Sequence, residues 1–256
     1  MTSTFDLHAS KFERYRALPG GVPETIRTAI WSATGKHSTA SVLDVGAGTG
    51  RFGKAFVAAG DSYVGLDLSF NMLREFRVER ATPCLVQADA EHLPFEDRSF
   101  DVVLLMQVLS GARHWRELLK EIQRVLRPGG TVVVGHTVTP QDGIDMQLKQ
   151  QLNLILEEMK VEGHEPKKSR GQALSWLESI SVRRQHVIAA SWTAQRTAGE
   201  FLDRHRSGAR FSSLPAAVQT EALKRVSAWA EKTFGAMDKT FPEQHNFELD
   251  IFEMSI

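Results

Sequence analysis

The sequence is short of the residues that make chemistry easy to read. It has a single cysteine, Cys84, in 256 residues, which excludes an intrachain disulfide and any zinc site built from cysteines. Its nine histidines include no His-x-x-x-His pair, so a helix-borne metal centre has no support and no metal is expected. Charge of either sign is missing as an excess: Lys plus Arg and Asp plus Glu both number 31. No overall field therefore draws the chain to nucleic acid or to an acidic membrane, and RNA-binding signatures are also missing. No apolar run approaches the ~18 residues of a membrane span, and the first residues, MTSTFDLHASKFERYR, contain no apolar stretch of signal-peptide length. The expectation is a cytoplasmic protein with no membrane span and no nucleic-acid partner, as a monomer or a homodimer.

What is present begins at VLDVGAGTGRFG, Val42 to Gly53. Val42, Leu43 and Val45 are strand formers, three glycines follow at alternate positions, and a helix is expected through Lys54, Ala55, Phe56 and Val57. Strand, tight turn and helix in this order let backbone amides approach a nucleotide-like ligand. The dinucleotide fingerprint G-x-G-x-x-G would need its third glycine at position 51, which is Arg51. The chain instead reads D-x-G-x-G-x-G from Asp44. A second strand, SYVGLDLS, ends in Asp67, 21 residues beyond Gly46, close to the ~20 that bring an acid beside a bound ribose. A helix is expected from Asn71 to about Arg80, with Met72, Leu73 and Phe76 in the core. The third strand, CLVQAD, closes on Asp89 and Ala90 and places Cys84 in the core. FDVVLLMQVL reads as a buried fourth strand, with Gln107 facing the crevice at its carboxyl end. HWRELLKEIQRVL reads as a helix with Leu118, Leu119, Ile122, Val125 and Leu126 inward and Glu117 and Glu121 outward, stopped by RPGG before the strand TVVVGHTV.

These blocks, D-x-G-x-G-x-G, the acid of LDLS, D-A-E-H-L-P-F and L-R-P-G-G before a hydrophobic strand, occur in one order across Val42 to Val138. In them the chain resembles the class I S-adenosylmethionine-dependent methyltransferases, closest to the small-molecule group that includes the ubiquinone and menaquinone biosynthesis enzymes. The resemblance implies an α/β fold: a three-layer, Rossmann-like, seven-stranded sheet. It implies S-adenosyl-L-methionine as cofactor, with S-adenosyl-L-homocysteine as product. It also implies cofactor contacts from Asp44, Gly46, Gly48 and Gly50. Asp67 would hold the ribose, Leu68 would pack on the adenine, Asp89 and Ala90 would meet the adenine amino group, and Gln107 would line the methionine portion. Many relatives carry an aromatic and Arg-rich segment before the first motif, which here is FERYRALP with Tyr15 and Arg16. The loop Ser110 to Arg113 departs from many relatives, so it gives no substrate.

Beyond His136 the resemblance fades. The expected elements are a helix from Asp142 to about Val161, a helix from Gln172 to Ile180, a sixth strand VRRQHVIAASW, two more helices, and a last strand in HNFELDIFEM. One domain spans 1–256: a helical segment over 1–35, a core over about 36–140, 170–192 and 244–256, and insertions over about 141–165 and 193–235. The insertions are expected to form a helical lid that keeps water from the acceptor, or a helical layer that thickens the fold or makes a dimer face. Arg183, Arg184, Arg196, Arg204, Arg206 and Arg210 make this half locally basic, either toward an anionic acceptor or as solvated faces. The expected activity is methyl transfer to an O, N or C nucleophile of a small molecule. A general base is left unassigned among Tyr15, His114 and His136, and Tyr15, His136 and Trp192 are candidate substrate contacts. Two other classes stand beside it: a silent S-adenosylmethionine-binding scaffold or regulator, and an NAD(P)-linked oxidoreductase, which Arg51 disfavours.

Overall fold

All four residues of the first strand, β1 (Val42–Val45), are buried, because two parallel neighbours and a helical layer on each face surround it. In the computed structural model, the structure describes residues 17–79, 81–112, 114–161, 169–206, 211 and 214–255. The expected helix before position 16, with Tyr15 and Arg16, lies outside the described residues. The elements that flank β1 in the chain are α1 (Val22–Thr34), α2 (Gly53–Ala58), β2 (Tyr63–Asp67), α3 (Phe70–Glu75) and β3 (Cys84–Gln87). Then come β4 (Phe100–Met106), α4 (Trp115–Val125), β5 (Leu126–Val138), α5 (Ile144–Glu158), α6 (Ser169–Ile180), β6 (Ser181–Arg196), α7 (Ala198–Arg206), α8 (Ala216–Phe234) and β7 (Phe241–Met254).

The seven strands form one sheet in the order β3-β2-β1-β4-β5-β7-β6. The first five are parallel, while β7 runs antiparallel to both β5 and β6. Strand order reverses between β1 and β4, and the crevice outside their carboxyl ends is where open α/β sheets take ligands. The two faces carry separate apolar layers. Helices α4 and α6 cover one through Leu118, Ile122, Ala173 and Leu177. Helices α1 and α2 cover the other through Ile26, Ile30, Trp31 and Phe56.

A third apolar cluster stands apart from the sheet, with Leu148 and Leu152 of α5, Phe201 of α7 and Val226 of α8. Register places its connections at one end. Val138 closes β5 opposite Asn246, and Arg196 closes β6 opposite Phe241 at the start of β7. The helical group therefore springs from the carboxyl end of the parallel strands, the end at which the glycine turn opens. Glu243 and Asp145 fasten it, since the buried Glu243 Oε1 accepts from the Asp145 backbone N–H at 3.0 Å. Asp145 in turn pairs with Arg204 and lies 3.6 Å from Arg196.

Several details differ from the sequence reading, among them that Leu126, expected in the helix, opens β5, and that β7 starts at Phe241 instead of at about 244. Cys84 is exposed, because β3 is the outer edge strand with β2 as its one neighbour. The helix expected to reach Arg80 stops at Glu75. There Phe76 turns extended and buries its ring under the glycine turn, where a Cβ on Gly50 would come within 2.5 Å of it. Strand β6 runs on to Arg196, so the segment before β7 starts four residues later than expected, at Thr197. Glu121, expected to face water, is half-buried and accepts from the Leu93 backbone N–H at 2.8 Å.

Candidate functional site

The glycine turn is held in shape from both sides. The backbone N–H groups of Gly46 and Ala47 both donate to Leu66 O, at 2.7 and 2.9 Å, which ties the exit of β1 to the end of β2. Gly48 has φ of +57°, a region that costs an L side chain about 1–2 kcal/mol. A Cβ there would project toward Met72 at 3.4 Å and Asp67 at 4.0 Å, so the missing side chain leaves backbone facing the crevice.

Asp67, at the tip of β2, accepts from Gly48 N–H through Oδ2 at 2.9 Å and from Ser69 N–H through Oδ1 at 2.8 Å. Two backbone bonds fix the group at the mouth of the crevice. Next to it Leu68 and Phe70 are 44% and 56% exposed, apolar surface of the kind that receives a flat ring. Asp89 follows β3, the neighbouring strand, and is exposed. Its Oδ1 accepts from Glu91 N–H at 3.0 Å, and Oδ2 has no partner among the described residues. Ala90 beside it is half-buried against the core. The loop that carries this acid is pinned by Glu121 and by Arg124, which donates to Leu93 O at 2.9 Å and Phe95 O at 2.7 Å.

Asp44 lies deeper. It is 1% exposed and accepts from the Tyr63 hydroxyl at 2.8 Å through Oδ2, while its buried Oδ1 has no partner. Burial pushes its carboxyl up to about 7; the Tyr63 hydrogen bond opposes that and nearby Asp67 adds to it. Tyr63 reaches Asp44 by passing over Gly53, where an added Cβ would lie 2.0 Å from the hydroxyl.

Gln107 leaves β4 with φ of +62°, uncommon for a residue with a side chain and costing of order 1–3 kcal/mol. Three bonds hold it: its N–H to Gly135 O at 2.8 Å, its Nε2 to Thr137 Oγ1 at 2.8 Å, and Arg51 Nη2 to its Oε1 at 2.6 Å. Arg51, the residue that breaks the dinucleotide fingerprint, thus bridges the glycine turn to the tip of β4. Sequence reasoning gave Arg51 no role at the site, and its place inside the turn was the available signal. Phe70 and Tyr63 were likewise missed, and nothing in their spacing marked them.

Of the residues tied to the acceptor, His136 is half-buried in β5 beside a cavity of about 320 Å³. Arg170 Nη2 donates to its Nδ1 at 2.9 Å. The ring proton is then on Nε2, 3.9 Å from Glu248. Burial first and the Arg170 charge second lower its pKa, so the ring is neutral with its free lone pair already used. His114 pairs with Glu91 at 2.9 Å. Trp192 is half-buried and stacks on His245, with ring centroids 5.8 Å apart. The arginines of the second half are largely spent on neighbours: Arg184 on Asp250 and Glu178, Arg196 and Arg204 on Asp145, Arg206 on Asp203. Among the described residues no group of three His, Cys, Asp or Glu side chains forms a metal site, and no helix is long and apolar enough to cross a membrane.

Asp44, the glycine turn, Asp67, Leu68, Asp89, Ala90 and Gln107 therefore stand together at the carboxyl ends of β1, β2, β3 and β4. Known proteins resemble this chain in sequence and in fold. A family model described as "Methyltransferase domain" matches residues 43–134. The demethylmenaquinone methyltransferase of Renibacterium salmoninarum is 33% identical over 144 residues, 56% of this chain and 61% of the relative. The malonyl-[acyl-carrier protein] O-methyltransferase of Pseudescherichia vulneris is 38% identical over 98 residues, 38% of this chain and 39% of the relative. The chain thus spans less than two thirds of the length of these relatives. Among solved structures, the YcgJ protein of Bacillus subtilis superposes with a TM-score of 0.56 at 20% identity, over 90% of this chain and 98% of that one. That likeness extends the shared fold past the matched segment, and over residues 43–134 the chain is similar to the methyltransferase domain described by the family model.

Proposed function

We propose that the protein transfers a methyl group from S-adenosylmethionine to a small-molecule O, N or C nucleophile, releasing S-adenosylhomocysteine. The observation that carries this reading is the Asp67 carboxylate bonded to the Gly48 amide, with Asp89 on the adjacent strand: two fixed acceptors suit the ribose hydroxyls and the adenine amino group. The cofactor supplies an activated methyl on a sulfonium, so the protein's work is binding, alignment and exclusion of water. Asp67 holds the ribose, Leu68 and Phe70 flank the base, Asp89 and Ala90 read its amino group, and Asp44 with the three glycines receives the amino-acid end beside Gln107. By the resemblance, Arg16 is a further cofactor contact.

The helical group of α5, α7 and α8 acts in this reading as a lid over the acceptor. The names of the two relatives give unlike acceptors, a demethylmenaquinone and a malonyl-[acyl-carrier protein], so neither is carried over. His136, with its lone pair occupied by Arg170, is not the base. That leaves the silent scaffold as the second reading, since such a protein would bind the cofactor equally well.

Calorimetry with S-adenosylmethionine, S-adenosylhomocysteine and NADH tests the first step, with micromolar-class binding expected for the first two alone. Incubation with isotopically labelled methyl donor and a metabolite extract tests the second. A labelled small molecule supports the enzyme, and cofactor binding without transfer supports the scaffold.

A further inference from the structure

The cavity beside His136 opens between the tips of β4 and β5 and the first turn of α6. At about 320 Å³ it is within the range of small-molecule sites. Its inner walls are apolar, with Leu105 and Val134 buried. Its polar lining is Gln107, Ser110, His136, Thr137 and Arg170.

The hydrogen-bond inventory of that lining is one-sided. Arg170 gives Nη2 to His136 Nδ1 at 2.9 Å and to Asp250 Oδ2 at 3.3 Å, while its Nη1 has no acceptor among the described residues and its side chain is 32% exposed. Asp250 is shared with Arg184 at 3.0 Å and His186 at 3.2 Å, so one carboxylate serves two guanidiniums. Thr137 accepts from Gln107, which leaves its own O–H to give, and Ser110 offers another. Most of the acceptors already hold one donor. His136 Nδ1 serves Arg170, Gln107 Oε1 serves Arg51, and the carbonyls of Val108, Leu109 and Gly135 receive Gly111 N–H, Ser169 O–H and Gln107 N–H. A partly exposed guanidinium nitrogen without a protein acceptor can take one from a ligand. A lining of donors fits a group that is acceptor-only, and an ionised carboxylate is that group. An ammonium would meet the Arg170 guanidinium and find only hydroxyl oxygens and second carbonyl lone pairs as acceptors.

We propose that this cavity seats a carboxylate of the methyl acceptor, anchored by Arg170 and completed by the Ser110 and Thr137 hydroxyls. The assignment rests on the methyltransferase reading for the word acceptor, and on the cavity alone for the word carboxylate.

The test follows benzoate, benzamide and benzylamine by amide NMR in the full-length protein, with and without S-adenosylhomocysteine. Benzoate is expected to bind saturably and to shift the amides of Gln107, Ser110 and His136, with benzamide weaker and benzylamine silent. Arg170→Gln is expected to weaken benzoate by about tenfold or more and Arg170→Lys by less, each with S-adenosylhomocysteine affinity unchanged. Equal binding of benzamide or benzylamine, shifts confined to other surfaces, no saturable benzoate binding, or an indifferent Arg170→Gln would each overturn the subsite. Should Arg170→Gln fail to fold through loss of Asp250, the wild-type shift map and Arg170→Lys decide the matter. Loss of S-adenosylhomocysteine binding with benzoate binding intact would strike the methyltransferase reading and spare the carboxylate site, and the converse would remove the site alone.

Discussion

Asp44 is a carboxylic acid that the fold keeps dry, and its titration is therefore a probe of the site's interior. Its folded-state pKa is raised, from 3.8 to about 7, so between those values the folded protein holds a proton that the unfolded chain has released. Stability must then fall as pH rises through that window, by up to ~1.4 kcal/mol per pH unit from this one group. The stability gap between wild type and Asp44→Asn, read from urea midpoints at pH 4.5, 6 and 8 as about three points across the window, should shift steadily against wild type. Parallel profiles would mean that Asp44 is not held in this way. Asp67 is the opposite case, an acid fixed by backbone amides at the crevice mouth. Asp67→Ala should weaken S-adenosylhomocysteine by about tenfold or more, as loss of a charged acceptor does, and unchanged calorimetric affinity would remove the ribose assignment. The positions of both acids were legible in the sequence, Asp67 as a strand-end acid at the spacing of a βαβ unit and Asp44 as the acid that opens D-x-G-x-G-x-G. The ribose contact of Asp67 is part of the proposal. Arg51 and Tyr63 were not legible, since their partners Gln107 and Asp44 lie 56 and 19 residues away. Cys84 was misread because an apolar strand sequence does not say whether it will be central or at an edge.

The glycine turn, read as an element, is shaped by packing as much as by dihedral angle. Gly48 needs its positive φ, yet a Cβ there would meet only the flexible tip of Met72 at 3.4 Å. Gly53 opens α2, and a Cβ there would strike the Tyr63 hydroxyl at 2.0 Å and Phe76 at 2.8 Å. Gly48→Ala should therefore cost about 1–2 kcal/mol. Gly53→Ala should cost more, because overpacking of about 1–3 kcal/mol adds to the loss of the donor to buried Asp44, worth about 1–3 kcal/mol. Urea unfolding of the two variants checks the ranking, and a milder Gly53→Ala would contradict the packing argument. Strand, turn and helix were legible from apolar runs and glycine spacing. The early stop of α3 was not, since helical spacing of Met72, Leu73 and Phe76 cannot reveal that Phe76 is wanted under Gly50. The sheet protects its edges with means that differ by side. β3 is four residues long, while β6 is long but carries two register shifts and Arg183 and Arg184 near exposed Val182, all of which discourage pairing with a further strand.

For the molecule as a whole, the order of motifs along the chain was enough to lay out the parallel half, because each βα unit brings its own residues to the same end of the sheet. The helical group was legible as helices from periodicity. Its shared core was not readable in detail, because α5 and α8 meet across more than fifty intervening residues. Asp145 is the tie: with it removed, Arg196 and Arg204 lose their partner and the Glu243 contact is left to a backbone amide. Asp145→Ala should lower stability by about 3 kcal/mol, as breaking a mostly buried pair does. Hydrogen exchange should quicken in α5, α7 and α8 before it does in β1, β4 and β5, and uniform acceleration would argue that the helical group is no separate unit. The central claim concerns the crevice itself, and a crystal structure grown with S-adenosylhomocysteine tests it most directly. The account predicts both ribose hydroxyls on the Asp67 carboxylate, the adenine against Leu68 with its amino group at Asp89, and the amino-acid end over the glycine turn. The same ligand found against any other surface of the sheet would contradict it.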